Sequence, residues 1–172
     1  VNLFYFVFFC VFDKAGSYDE WLAAAAASDE AEGLLDWRAA DGSGFFHESL
    51  IRDHIRRMRA LRAENALATL AEVLQESVYR HLGELNNPEL YLYARTGTKY
   101  LVTEYLDEVE AVMRTLAEHP VPGMSTARKL ALFEQAERVY GRPALMLSGG
   151  AAFGIYHLGV VKALWEQDLL PK

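Results

Sequence analysis

The chain has 172 residues, 52% of them hydrophobic and 24% charged, with a formal net charge of -7. That composition excludes a disordered polymer, and the negative balance speaks against nucleic acid as a partner. A lone cysteine, Cys10, excludes an internal disulfide framework and a cysteine-based zinc site. In chain order, Val1–Phe12 (VNLFYFVFFCVF) comes first and carries no charge. As a helix it is shorter than the roughly 20 residues that span a bilayer. Three readings stay open: the end of a membrane span, an interfacial segment, or a buried core segment. Lipid contact is preferred, because so uniform a run leaves no polar face for water. Residues 1–17 are accordingly set apart as a membrane-proximal segment. The first residue is Val rather than Met, so the chain is expected to be a fragment or a processed product.

Tyr18–Glu32 is alanine-rich and predicts a helix capped by Ser17, with Asp19 and Glu20 in its first turn. A turn at Asp41–Gly44 precedes a second helix over Glu48–Ala63, whose Ile51, Ile55, Met58 and Leu61 share a face. Its arginines (Arg52, Arg56, Arg57, Arg59 and Arg62) fall largely off that face. They read as a solvated surface, with anionic lipid head groups as the sharper alternative. A third helix is predicted over Ala66–Leu85, with Leu67, Leu70, Leu74, Val78 and Leu82 in register. A fourth spans Thr98–Glu118 on Leu101, Tyr105, Val109, Val112 and Leu116, and a fifth spans Thr126–Tyr140. Residues 18–141 thus form one helical region.

From residue 142 the pattern changes. Ala144–Leu147 predicts a short buried strand, Ser148–Ala151 a small-residue turn, and Gly154–Gln167 an amphipathic helix. Strand, glycine turn and helix together open an α/β domain. No other convincing strand occurs, so the rest of the sheet is expected beyond Lys172. The turn reads Leu147–Gly154, LSGGAAFG. Backbone amides in such a turn suit an anion: a phosphate, or the transient oxyanion of acyl transfer. A plain packing turn is the third reading. Phosphate is disfavoured, since no Gly-Lys-Ser/Thr follows and Ala151 breaks a G-x-G-x-x-G pattern.

Pro143–Pro171 closely resembles the opening of the patatin domain of patatin-like triacylglycerol lipases. Gly149-Gly150-Ala151-x-x-Gly154 followed by Tyr156–Leu164 carries the match. Tyr18–Glu30, the arginine-rich helix and Asn86–Val109 resemble the helical domain that precedes it. The resemblance implies a Ser–Asp dyad on a three-layer α/β fold, with an all-helical amino-terminal region ahead of it. It implies an oxyanion loop at Gly149, Gly150, Ala151 and Gly154, with Gly150 and Ala151 as the donors. Ala151 stands where the family more often has a third glycine. The substrate implied is a lipid acyl ester, triacylglycerol first and phospholipid second, without a cofactor. The implied location is intracellular, at a membrane or lipid-droplet surface.

The G-x-S-x-G elbow of the nucleophile is absent from these residues. Ser125 follows two prolines and reads as a helix cap, while Ser43 lacks the leading glycine. Serine and aspartate of the dyad are expected downstream, and the chain alone is expected to be inactive. Ser148 belongs to the turn and is a candidate for shaping the pocket. His157 is the other such candidate, although a packed helix histidine is preferred. His47, His54, His81, His119 and His157 show no ligand spacing, so no metal is expected. A catalytically inert lipid-surface helical module is the alternative of a different class.

Overall fold

The computed structural model describes residues 15–40, 44–79, 82–140, 145–147, 149 and 154–170. Val1–Phe12, the Asp41–Ser43 part of the first turn, and Ser148, Gly150 and Ala151 of the glycine turn lie outside them. The chain divides into two units, Val1–Tyr140 and Gly141–Lys172.

Among the described residues, the first unit is built from six α-helices. Helix α1, Tyr18–Ala31, begins as expected: Ser17 is extended and its Oγ accepts the Glu20 N–H at 3.2 Å. Glu20 in turn accepts the Gly16 N–H at 2.7 Å, so the helix start is closed from both sides. Gly33, at φ 71, turns the chain into α2, Leu34–Ala39, which periodicity did not show. Helix α3 is Glu48–Ala63, α4 is Leu67–Ser77, α5 is Tyr100–Glu118 and α6 is Thr126–Tyr140. Short 3-10 turns at Leu82–Glu84 and Pro88–Tyr91 connect α4 to α5.

The core is the apolar stripes of α3, α4 and α5 meeting one another. Ile51, Met58, Leu70, Val73, Leu74 and Val112 are fully enclosed, and α3 against α5 is the most extensive helix pair. Each such side chain stabilises the fold by about 1.5–3 kcal/mol relative to exposure. The stripe expected for α5 is buried in full: Leu101, Tyr105, Val109, Val112 and Leu116. Leu132 and Ala136 bring α6 into the same cluster.

The third predicted helix is shorter than expected. It ends at Ser77, and Val78 and Leu82 reach the cluster from outside the helix. The chain leaves helical geometry at Val78, whose ψ is 71. Farther on, Gly83 sits at φ 56, and a Cβ there would lie 2.9 Å from Ile51 Cδ1, so this close approach to α3 needs glycine.

The second unit corrects the fold class. Among the described residues every regular element is helical, so the expected strand that would open an α/β domain is not found. Leu145–Leu147 has no regular structure, and Met146 is 90% exposed. Ala144 lies outside the described residues. The physical reason is the one that made the strand conspicuous: a strand satisfies its amides only by pairing, and no described segment pairs with it. The helix after the turn does form, as α7, Ile155–Glu166, and none of its residues is buried.

Candidate functional site

Of the loop read from sequence, Gly149 and Gly154 are described. Gly154 is the N-cap of α7, at φ -57 and ψ -21, and gives the first turn no side-chain acceptor. A Cβ at either glycine would meet nothing within 4 Å. Their smallness therefore answers no steric demand from the described residues and leaves the main chain approachable. First-turn amides without a capping side chain favour an anion. His157 lies in the first turn of α7 and is half-buried, with an interaction partner of its own. The donors assigned by resemblance, Gly150 and Ala151, and the turn residue Ser148 lie outside the described residues. Ser125 caps α6: its Oγ accepts the Arg128 N–H at 3.2 Å. That is the structural role expected of it, not that of a nucleophile.

The first unit holds polar groups that sequence reading missed. Asp29 is completely buried and accepts from the Arg95 N–H at 3.0 Å and the Thr96 N–H at 2.9 Å. Thr96 Oγ1 donates to it as well, at 2.6 Å. Burial pushes the Asp29 carboxyl up, and these hydrogen bonds outweigh it, so its pKa is lowered. Lys99 is 2% exposed; its Nζ donates to the carbonyls of Trp37 and, at 2.9 Å, Ala40, and lies over the Trp37 ring. A cation thus closes the carboxyl end of α2, where the helix dipole is negative. The one available signal was spacing. Asp29 lies one turn beyond Ala25 and beside Ser28, and a charge on a buried helix face requires partners.

The arginines of α3 are used inside the fold. Arg62 grips Glu108 of α5 with Nε and Nη2 at 3.0 and 3.1 Å, and Arg59 adds a third bond at 3.0 Å. Arg59 also pairs with Glu104 at 2.6 Å, Arg57 pairs with Glu76 of α4, and Arg56 with Asp53. The neighbouring acids answer these charges locally, which weakens the case for a lipid-binding stripe on α3.

The same unit contains a cavity of about 250 Å³, at the exit of α4 beside α5 and α6. Four tyrosines, Tyr79, Tyr91, Tyr105 and Tyr140, form much of its wall. Burial raises the hydroxyl pKa of Tyr91, Tyr105 and Tyr140 above the ordinary phenol value. No sequence signal marked it, because its lining comes from four separate segments.

Comparison with known proteins gives the chain its relatives. Triacylglycerol lipase 5 of Saccharomyces cerevisiae is 38% identical over 156 residues, which cover 91% of this chain and 21% of the yeast protein. Triacylglycerol lipase 4 of the same yeast is 36% identical over 92% of this chain and 17% of its own length. A patatin-like phospholipase domain-containing protein of Chaetomium globosum is 34% identical over 90% of this chain and 19% of its own length. The chain thus spans about a fifth of the length of these relatives. No solved structure shows significant similarity. The family model described as "Domain of unknown function (DUF3336)" matches residues 11–138, most of the helical unit. The chain therefore belongs to the DUF3336 family.

Proposed function

We propose that this chain is part of a serine lipase that hydrolyses acyl esters of triacylglycerol, and that its share of the chemistry is the oxyanion loop around Gly149–Gly154. The supporting observation is the reach of the similarity to the yeast triacylglycerol lipases. A continuous match over 91% of 172 residues cannot leave out residues 149–154, so it takes in the glycine loop as well as the helices. In this reading the amides of Gly150 and Ala151 receive the charge that develops on the carbonyl oxygen as the serine attacks. The serine and its aspartate belong to the full-length protein. These 172 residues alone, without G-x-S-x-G, release no fatty acid. No metal or organic cofactor takes part. The protein works inside the cell at a membrane or lipid-droplet surface, a location supported by the uncharged run Val1–Phe12.

The test is fatty-acid release by the full-length protein from triolein and from phosphatidylcholine, side by side. Triolein hydrolysis that falls about 10²–10³-fold in Ala151→Pro, which deletes one amide donor, supports the proposal. A full-length protein inert on both lipids defeats it and leaves a non-catalytic lipid-surface module. A second reading, phospholipase A or lysophospholipase, is favoured by the name of the Chaetomium globosum relative. It wins if phosphatidylcholine is the faster substrate.

A further inference from the structure

We propose that the loop Tyr91–Tyr100 is the surface by which the helical unit docks on a phospholipid layer, its exposed side chains entering the head-group region and Arg38 of α2 meeting a lipid phosphate. The proposal rests on the lipid-surface location given above and names its contact. The loop reads YLYARTGTKY: three tyrosines, a leucine, two cations and no acid, in a chain of net charge -7. Tyr91, Leu92, Tyr93 and Tyr100 are all exposed, Leu92 at 70%. That exposure is built in. Leu90, just before the three, is fully enclosed, and Thr98 Oγ1 donates to its carbonyl. Asn87 Nδ2 donates to the Phe45 carbonyl at 2.9 Å, and the Tyr93 ring lies 5.0 Å from Trp37 and 5.9 Å from Phe45. Tyrosines, with an apolar ring and a polar tip, suit the head-group level of a lipid layer.

Area and charge favour lipid over a protein partner. The four side chains together offer roughly 400 Å², a bare tyrosine presenting about 150–250 Å². A stable protein interface takes roughly 800 Å² from each partner, whereas side chains enter a lipid layer singly and need no complementary surface. Arg38 supplies the charge complementarity. Its Nε donates to the Thr98 carbonyl and its Nη1 to Thr96 Oγ1, both at 2.9 Å, and its guanidinium carbon lies 4.5 Å from the centre of the Tyr100 ring. These partners are neutral, so they fix the group without cancelling its charge, and among the described residues no carboxylate ion-pairs with it. Arg95, by contrast, is taken by Asp29 and Glu32. A guanidinium held in this way suits a phosphate.

The experiment floats the 172-residue chain with vesicles of phosphatidylcholine, alone or mixed with phosphatidic acid. Recovery is expected with both and is higher with phosphatidic acid. Leu92→Asp lowers the partition coefficient about ten-fold on both vesicles, with helical circular dichroism and melting temperature retained. Arg38→Gln lowers it about five-fold on the phosphatidic acid vesicles alone, and does so equally with Asp41→Asn alongside it. Leu92→Cys in a Cys10→Ser background, labelled with an environment-sensitive dye, shifts its emission to the blue on vesicles, in this chain and in the full-length protein. Should Arg38→Gln melt earlier, the two Leu92 measurements decide. Unchanged recovery of Leu92→Asp, or no blue shift, overturns the proposal. So does an Arg38→Gln effect that vanishes with Asp41→Asn, and so does a blue shift that the full-length protein lacks, which assigns the loop to a contact within that protein. Val1–Phe12 is the same in every variant; recovery that falls on its deletion but not in Leu92→Asp keeps the location and strikes the loop.

Discussion

Helices α5 and α7 both carry apolar side chains at helical spacing, those of α5 much more confined to one face, and they end in opposite states. Five stripe residues of α5, from Leu101 to Leu116, are buried against α3 and α4, whereas Ile155, Leu158 and Trp165 of α7 all remain exposed. Yet α7 is the more apolar of the two on average. The difference shows what periodicity encodes. A stripe states which face of a helix seeks cover; whether cover exists depends on the stripes of other segments. The helical unit has three that match.

Substitutions sharpen the contrast. Leu74→Ala, at a fully enclosed position, should lower the unfolding free energy by about 2–5 kcal/mol in urea, while Leu158→Ala on α7 should change it by less than about 0.5 kcal/mol. Equal effects at the two sites would break the comparison. Next comes Glu108→Ala. It removes the buried carboxylate that Arg59 and Arg62 share, and about 1–3 kcal/mol is expected, moderated because both guanidinium groups are partly exposed. Ser125→Ala, which uncaps α6, should cost about 1 kcal/mol and leave the core of α3, α4 and α5 intact by hydrogen exchange.

The smallest expected effect concerns pH. Burial, and then the neighbouring Arg57 charge, lower the pKa of His54. The Ser77 hydroxyl donates to the Val73 carbonyl at 2.7 Å, so its oxygen accepts from His54 Nδ1–H at 2.9 Å. Below the ordinary histidine pKa of about 6.5 the unfolded chain takes up the proton first. Stability should therefore decline as pH falls from that value through the lowered one. His54→Gln should flatten this part of the profile; an unchanged slope would show that other groups set it.

Much of the helical unit was legible in sequence. The stripes of α3 and α5 and the caps at Ser17 and Ser125 stand where spacing put them, because each depends on neighbours within one or two turns. What escaped depends on distant segments. Gly83 is held to glycine by Ile51 of α3, which a Cβ there would meet at 2.9 Å. Asp29 finds its partners at Arg95 and Thr96, far along the chain. The strand expected at Ala144–Leu147 was misread for the opposite reason: its apolar run met the local criterion, and among the described residues no segment pairs with it. Of the candidate site, the sequence supplied the glycine turn, whereas the tyrosine cavity came only with the folded chain.

The attachment of α1 has a mechanical consequence. Its buried residues are Ala25, Ser28 and Asp29, so the helix is held less by oily area than by the hydrogen bonds gathered at one carboxylate. Such a joint is a latch. Hydrogen bonds lose their strength within fractions of an ångström, so a pull on the amino terminus meets firm resistance and then sudden release. Tension applied there would free α1 as a unit while α3, α4 and α5 kept their packing, making this helix the first point of yield when the chain is loaded from its amino-terminal side.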